Sequence, residues 1–262
     1  MNFDYLICGV SGGIFKITMN RPESLNSLNE RMLHELAAAF GYASENAEVR
    51  AVVLTGSGRA FSSGQDLKEV LSSDAAGVNA GEMVESRYNP LIRSIRNCSK
   101  PVICSVNGIA AGAAANIAFA CDIIIAAEEA KFVQSFASIG LIPDSGGTYF
   151  LPRLAGLHRA AALMMTAESL PAPEAYRIGL VYRVAAASEL EKETEALALK
   201  LSSMPTKALG MIKQALNKTF DNSLDEQLQL EAALQDKAGK TGDYKEGIKA
   251  FLEKRKPEFN GQ

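Results

Sequence analysis

Short, continuous apolar runs alternate along much of the chain with apolar positions at helical spacing. Gly13-Ile-Phe-Lys-Ile-Thr-Met19 is rich in β-forming residues and is bounded by Ser-Gly-Gly and Asn-Arg-Pro, which predicts a strand. Ser27-x-x-Glu30 has the form of a capping box ahead of Met32, Leu33, Leu36, Ala37 and Phe40, predicting a helix that ends near Gly41. Ala51 to Thr55 reads as a buried strand and runs into a glycine-rich loop, Gly56 to Gly64. The pattern then repeats. Pro101 to Val106 is a strand, Asn107-Gly108 a turn, and the small-residue run beyond it, Ile109 to Ala120 with Gly112 inside it, a core helix leading to Cys121-Asp122. Ile123 to Ala127 and the shorter Lys131 to Gln134 follow as strands.

Strands alternating with helices predict an α/β core around a buried, mostly parallel sheet. After a short helix over 173–179, stopped by Gly179, the strand signals fade. Helical patterns cover 188–203, 205–219, 223–238 and 242–254, the last ending before Pro257. A helical tail of this kind serves as a lid on its own core or as a contact between copies.

Composition narrows the chemistry. With 262 residues, 47% of them hydrophobic and 22% charged, the chain can bury a sizeable core as one large domain with a helical appendage. A net charge of −3 gives no footprint for a nucleic-acid partner. The four cysteines, Cys8, Cys98, Cys104 and Cys121, form no C-x-x-C pair and have no histidine at metal-ligand spacing, so a structural metal is not expected. They read as buried thiols of a reducing compartment, and the absence of a leader-like start points to the cytoplasm. No apolar run reaches the roughly 18 residues that cross a bilayer. His34 falls on an amphipathic helix and His158 follows Ala-Gly-Leu, so neither joins a recognisable nucleophile and base. An enzyme with this inventory would use a carboxylate, or backbone groups, for its chemistry.

Two features could carry such chemistry. The loop 56–64 and the turn around Gly112 lack the Gly-Lys-Ser/Thr of a phosphate loop and any G-x-G-x-x-G. They do expose backbone N–H groups ahead of helices, and two converging loops of this kind make a donor pair for a developing oxyanion. Each loop alone reads equally well as a tight turn. Asp144, in Leu141-Ile-Pro-Asp-Ser-Gly-Gly-Thr148, reads first as a turn and cap residue. Its flanks, Ile139, Leu141 and Ile142 before and Tyr149, Phe150 and Leu151 after, predict an apolar setting that would favour the neutral carboxyl, as a general base needs.

Several segments, in order along almost the whole chain, resemble the crotonase, or enoyl-CoA hydratase/isomerase, superfamily. They are Asn20 to Asn26, Leu54 to Leu67, Lys100 to Gly108, Ala110-Ala-Gly112, Cys121-Asp122, Gly140 to Pro143, Gly146-Gly-Thr148 and Glu246 to Pro257. The resemblance implies an α/β spiral of ββα units over 1–200 with a helical trimerisation region over 201–262, assembled as a homotrimer or a dimer of trimers. It implies an acyl-CoA substrate, no cofactor beyond the coenzyme A of the substrate, and no nucleic acid or membrane partner. The enolate-stabilising N–H groups fall on Gln65 and Ala113. Coenzyme A would lie along Gln65, Asp66, Leu67 and Lys68, near Leu25 and Ser63, with Arg21 and the carboxy-terminal Lys254-Arg255 facing its phosphates.

Hydratases of this family hold water with two glutamates, whose positions here are Asn116 and the Gln134-Ser-Phe136 stretch. Neither supplies a carboxylate, so Asn116 and Phe136 are expected to line the substrate site without a hydratase's acid and base. Phe132 to Phe136, Gly140 to Thr148, Tyr88 to Arg93 and Lys100 to Cys104 resemble the branch of 1,2-epoxyphenylacetyl-CoA isomerases of phenylacetate breakdown, whose base is an Asp at the place of Asp144. That branch forms oxepin-CoA from the epoxide and shifts 3-enoyl to 2-enoyl thioesters. A hydratase, or more remotely a non-catalytic or RNA-binding member of the fold, is the alternative.

Overall fold

The structure is a computed structural model that describes residues 2–75 and 79–262, the side chains of 72–75 excepted. Its core is a six-stranded sheet of β1 (Leu6–Ser11), β2 (Ile14–Met19), β3 (Ala51–Gly56), β5 (Val102–Val106), β7 (Ile123–Ala127) and β10 (Arg183–Ala185), in the order β1-β2-β3-β5-β7-β10. Only the β1–β2 hairpin is antiparallel. A second, four-stranded sheet holds β4 (Ala60–Ser62), β6 (Ile109–Ala111), β8 (Lys131–Val133) and β9 (Ser169–Pro171), with β9 alone antiparallel.

The helices are α1 (Glu30–Glu45), α2 (Leu67–Ala75), α3 (Ala80–Met83), α4 (Asn89–Asn97), α5 (Ala113–Ala120), α6 (Gly147–Ala155), α7 (Leu157–Thr166), α8 (Ala172–Arg177), α9 (Leu190–Ser202), α10 (Thr206–Leu216), α11 (Leu224–Ala238) and α12 (Gly242–Leu252). Three times in succession the chain adds a strand to the large sheet, then one to the small sheet, then a helix: β3-β4-α2, β5-β6-α5 and β7-β8-α6. This is the spiral of ββα units expected. The central strands are apolar without alternation because both of their faces are covered, one of them by α9. Cys98, Cys104 and Cys121 are buried free thiols, and Cys8 is half-buried.

Several local expectations are corrected. Helix α1 is capped by Asn29, whose Oδ1 accepts from the Met32 N–H at 2.9 Å, and it passes through Gly41 to Glu45. Ser27 Oγ is instead tied to Asp66, because tertiary partners outcompete the local box. Ile109–Ala111, read as the start of a helix, is β6, and β4 lies inside what read as loop. Strands β9 and β10 were likewise invisible. Three-residue strands have no room for a period, so only their pairing partners define them. The helical tail matches its expected extents, and α11 carries a true capping box, Ser223 with Glu226.

The core and the tail are tied by polar contacts. Arg50 donates to Thr206 Oγ1 at 3.0 Å and to the carbonyls of Met204 and Phe259. Lys213 on α10 is buried, reaching Asp122 at 2.8 Å and the Ile95 carbonyl at 2.8 Å. Among the described residues no helix is long and apolar enough to cross a membrane.

Candidate active site

The first half of the site is a loop pinned from below. Asn26, fully buried at φ 54°, donates to the carbonyls of Ser57 and Ala60 at 2.9 Å each and accepts from the Arg21 N–H at 2.9 Å. It thereby laces the 20–28 turn to the loop after β3. Ser63 joins the same seam, its N–H donating to the Leu25 carbonyl at 2.9 Å and its hydroxyl to Ser24. Leu28 then makes an isolated parallel bridge with Gln65, donating to the Gly64 carbonyl at 2.7 Å and accepting from the Asp66 N–H at 2.9 Å. In that bridge both bonds belong to the neighbours of Gln65, so the Gln65 N–H points away from the ladder. Among the described residues it has no acceptor.

The second half meets the first at two glycines. Gly64, at φ 87°, lies so close to the β6 end that a Cβ there would sit 2.6 Å from the Ala111 carbonyl oxygen and 3.8 Å from Gly112 Cα. Gly112, at φ 54°, is held by its own N–H to the Val133 carbonyl at 2.8 Å and turns the chain into α5. The helix has no side-chain cap, and the Ala113 N–H is without an acceptor among the described residues. Two N–H groups without acceptors among the described residues, one of them at a helix N-terminus, therefore lie in two loops that touch at their glycines. That is what an oxyanion or a polarised carbonyl requires.

Asp144 lies in the loop before α6. Asn116, in the first turn of α5, donates to the Asp144 backbone carbonyl at 2.9 Å, which ties that loop to the start of the helix. Ser145 at φ 50° follows it, and the Ser145 hydroxyl donates to Asp144 Oδ1 at 2.8 Å. Burial raises the Asp144 carboxyl above its ordinary 3.8, and the Ser145 hydrogen bond offsets this only in part. Of the apolar flanks expected to cause this, Ile139, Leu141, Ile142 and Tyr149 are exposed, whereas Phe150 is half-buried and Leu151 buried.

In the sequence Tyr88 stands only within the Tyr88 to Arg93 segment that carries the branch resemblance, with no role of its own. It ends a π-helical turn, Val84–Tyr88, before α4, is 2% exposed, and its hydroxyl has no partner among the described residues. Burial first, and then the neighbouring Asp144 carboxylate, hold its phenol well above the ordinary value of 10.0, so it is neutral.

The remaining expected residues divide. Arg21 donates to Asp66 Oδ2 at 3.0 Å and to the Ser27 carbonyl at 2.7 Å and lies over the Tyr5 ring, while Arg255 bridges Glu246 and Glu253. Both guanidinium groups are engaged within the protein, and Arg21 orders the loop rather than standing free for a phosphate. Burial alone would raise Asp66, but the bonds from Arg21 and Ser27 more than offset it and hold its carboxyl below 3.8. Leu67 and Lys68, at the start of α2, are exposed beside this loop. Phe136 is buried with its ring 3.9 Å from where a Gly112 Cβ would stand, so it walls the second loop. Phe132 instead stacks on Phe119 in the core, centroids 5.4 Å apart. Asn116, expected to line the substrate site, is fully buried, with both ends of its amide engaged. His34 and His158 are exposed, away from all of these contacts. Among the described residues no group of three or more His, Cys, Asp or Glu is placed to hold a metal.

Known proteins match this chain along its whole length. A family model described as Enoyl-CoA hydratase/isomerase matches residues 9–262. A 1,2-epoxyphenylacetyl-CoA isomerase of Escherichia coli (strain K12) is 44% identical over 261 residues, covering 99% of each chain. A protein of Rhodobacter capsulatus named "Probable enoyl-CoA hydratase" is 44% identical over 262 residues, covering 100% of each. Among solved structures, an enoyl-CoA hydratase from Bacillus anthracis superimposes with a TM-score of 0.92 at 33% identity, over 99% of this chain and 100% of that one.

Proposed function

Because the chain belongs to the enoyl-CoA hydratase/isomerase family and so acts on CoA thioesters, we propose that its own reaction is an isomerisation with Asp144 as the single base. The substrate class is a 3-enoyl-CoA or the 1,2-epoxyphenylacetyl thioester on which the Escherichia coli relative is named to act. The observation that carries this reading is the pairing of one desolvated carboxylate, in no ion pair among the described residues, with two N–H groups that lack acceptors among those residues. Asn116 and Phe136 stand where a hydratase would place its glutamates, and neither can move a proton.

In this mechanism the thioester oxygen sits between the N–H groups of Gln65 and Ala113. Asp144 takes a proton from C2, and the electron pair of that C–H bond becomes the C1–C2 π bond of a dienolate whose charge rests on the oxygen. The carboxylic acid then returns the proton to C4, leaving the double bond between C2 and C3. Atoms and charge balance with one base and no added cofactor. For the epoxide, the C–C bond shared by the six- and three-membered rings opens, its electron pair passing into the π system of the seven-membered oxepin, and the same proton transfer, from C2 to a carbon of that ring, gives the conjugated oxepin-CoA. Preorganised donors of this kind account for about 100- to 1,000-fold in rate each. Leu25, Ser63, Asp66, Leu67 and Lys68 provide the loop surface for coenzyme A. Phe220, Leu224, Leu228, Phe251 and Leu252, exposed on or beside α11 and α12, fit assembly as a homotrimer or a dimer of trimers.

The test is Asp144→Asn assayed with trans-3-hexenoyl-CoA, following the rise of conjugated enoyl-thioester absorbance. Isomerisation should fall about 100- to 10,000-fold. Near-wild-type turnover would remove Asp144 as the base. Crotonyl-CoA should keep its absorbance with the wild-type enzyme, whereas rapid loss would make the protein a hydratase.

A further inference from the structure

Asp144 is not held by its own loop alone. Its carbonyl accepts from Asn116 Nδ2 at 2.9 Å, and Asn116 Oδ1 accepts from Gln134 Nε2 at 2.8 Å. A carbonyl can only accept, so the Asn116 amide must present its NH2 to Asp144 and its oxygen to Gln134. Gln134 must then present its own NH2. The polarity of the whole chain is fixed from one end. Its consequence is visible at the other end: Gln134 Oε1 is buried without a donor among the described residues. Turning the Gln134 amide over would face that oxygen with Asn116 Oδ1. An unsatisfied buried acceptor is costly, and an apolar side chain of the same length would fill the space without it. The feature this position retains is the donor.

We infer that Gln134 is a positioning residue for Asp144, acting through Asn116. The inference rests on Asp144 being the base. Gln134 directly follows β8, and the preceding residue, Val133, is the acceptor that fixes the Gly112 N–H. The end of β8 thus holds the oxyanion loop with a backbone carbonyl and the base with the adjoining side chain, and it sets the distance between them. No slack is left around Asn116. It is fully buried, and a Cβ on Gly147 at the start of α6 would lie 2.7 Å from its Cγ. A displacement of Gln134 therefore moves the Asp144 carbonyl rather than being absorbed.

Two variants test this with trans-3-hexenoyl-CoA. Gln134→Met keeps length and bulk but cannot donate. Its kcat should fall on the order of 100-fold with KM little changed, since a misplacement of about 1 Å at a reacting group has that effect while the thioester loop is untouched. In the Asp144→Asn background the same change should cause no further loss. Gln134→Glu should rescue at low pH, where its neutral carboxyl donates to Asn116, and lose activity as that carboxyl ionises. This adds a descending limb to a profile that otherwise rises as Asp144 ionises. Both variants should unfold cooperatively, checked by circular dichroism. A fall in kcat that persists undiminished in the Asp144→Asn background, or a Gln134→Glu enzyme with the wild-type profile, reduces Gln134 to a packing role. If Asp144→Asn is inactive and Gln134→Met keeps its kcat, only the positioning role fails. If Asp144→Asn itself stays active, the base assignment fails first.

Discussion

Gly64 and Ala111 stand in a contact that only glycine permits: a methyl group on Gly64 would lie 2.6 Å from the Ala111 carbonyl oxygen. Because Ala111 is one residue before Gly112 and Gly64 one before Gln65, this approach brings the two free N–H groups together.

Gly64→Ala should therefore separate the donors. With φ 87° and a backbone atom in the way, the loop must shift. The expected outcome is a kcat lowered about 100- to 1,000-fold, the loss of one oxyanion donor, in a protein that still folds. Steady-state kinetics beside a thermal melt will separate the two effects.

The raised carboxyl of Asp144 links activity to stability. A carboxyl raised above 3.8 by burial takes up more protons folded than unfolded, so its effect on stability worsens as pH rises from 3.8 through the folded value. Asp144→Asn should then be more stable than wild type at neutral pH, with the difference vanishing below about pH 3.8. Denaturant titrations at pH 7 and pH 3 check it, and equal gains at both pH values would contradict it. The wild-type rate should rise with pH through a point above the ordinary carboxylate value.

Asp66 has the opposite sign. Its carboxyl is held below 3.8, so the Arg21 pair contributes stability that is present above that value and lost as pH falls through the lower folded one. Arg21→Met should destabilise by about 1–2 kcal/mol at pH 7, between exposed and buried pairs, and by less at pH 3. It should also raise KM for acyl-CoA more than it lowers kcat, because the loop that presents Asp66, Leu67 and Lys68 is loosened.

Lys213 should matter to the fold and not to the chemistry. Removing its buried ammonium leaves Asp122 with Arg96 as its one charged partner beside the Val102 N–H, among the described residues, and the Ile95 carbonyl without its side-chain donor. Lys213→Ala should cost about 3 kcal/mol in urea unfolding while activity per folded molecule is unchanged. A change in kcat would mean that α10 communicates with the site.

Apolar runs such as Ala51 to Thr55 and Val102 to Val106 announced the parallel sheet, because strands buried on both faces need no alternation. Helices α9 to α12 were legible because each is long enough to show its period. The glycine loops and Asp144 were legible as residue types, with the branch resemblance pointing to their roles. Of the three-residue strands only β8 was legible, as Lys131 to Gln134; β4, β6, β9 and β10 lie within glycine-, alanine- or proline-containing stretches and are defined by their pairing partners. The site's finer structure was hidden for a related reason. Nothing in Ser27-x-x-Glu30 says that the serine will turn to Asp66, and nothing near Asp144 says that Asn116 will hold its carbonyl or that Tyr88 will lie close enough to feel its charge.

By itself, then, the sequence determined the order of strands and helices, the scarcity of histidine and cysteine chemistry, and the presence of one aspartate beside two glycine turns. Each of these is local, set by hydrophobic period or residue type. Tertiary structure alone decided that Gly64 reaches Ala111, that the Gln65 and Ala113 N–H groups have no acceptor among the described residues, and that Gln134 donates to Asn116 and Asn116 to the Asp144 carbonyl. Those depend on the separation of β3, β6 and β8 in space, which the parallel pairing of the two sheets sets and no local pattern encodes.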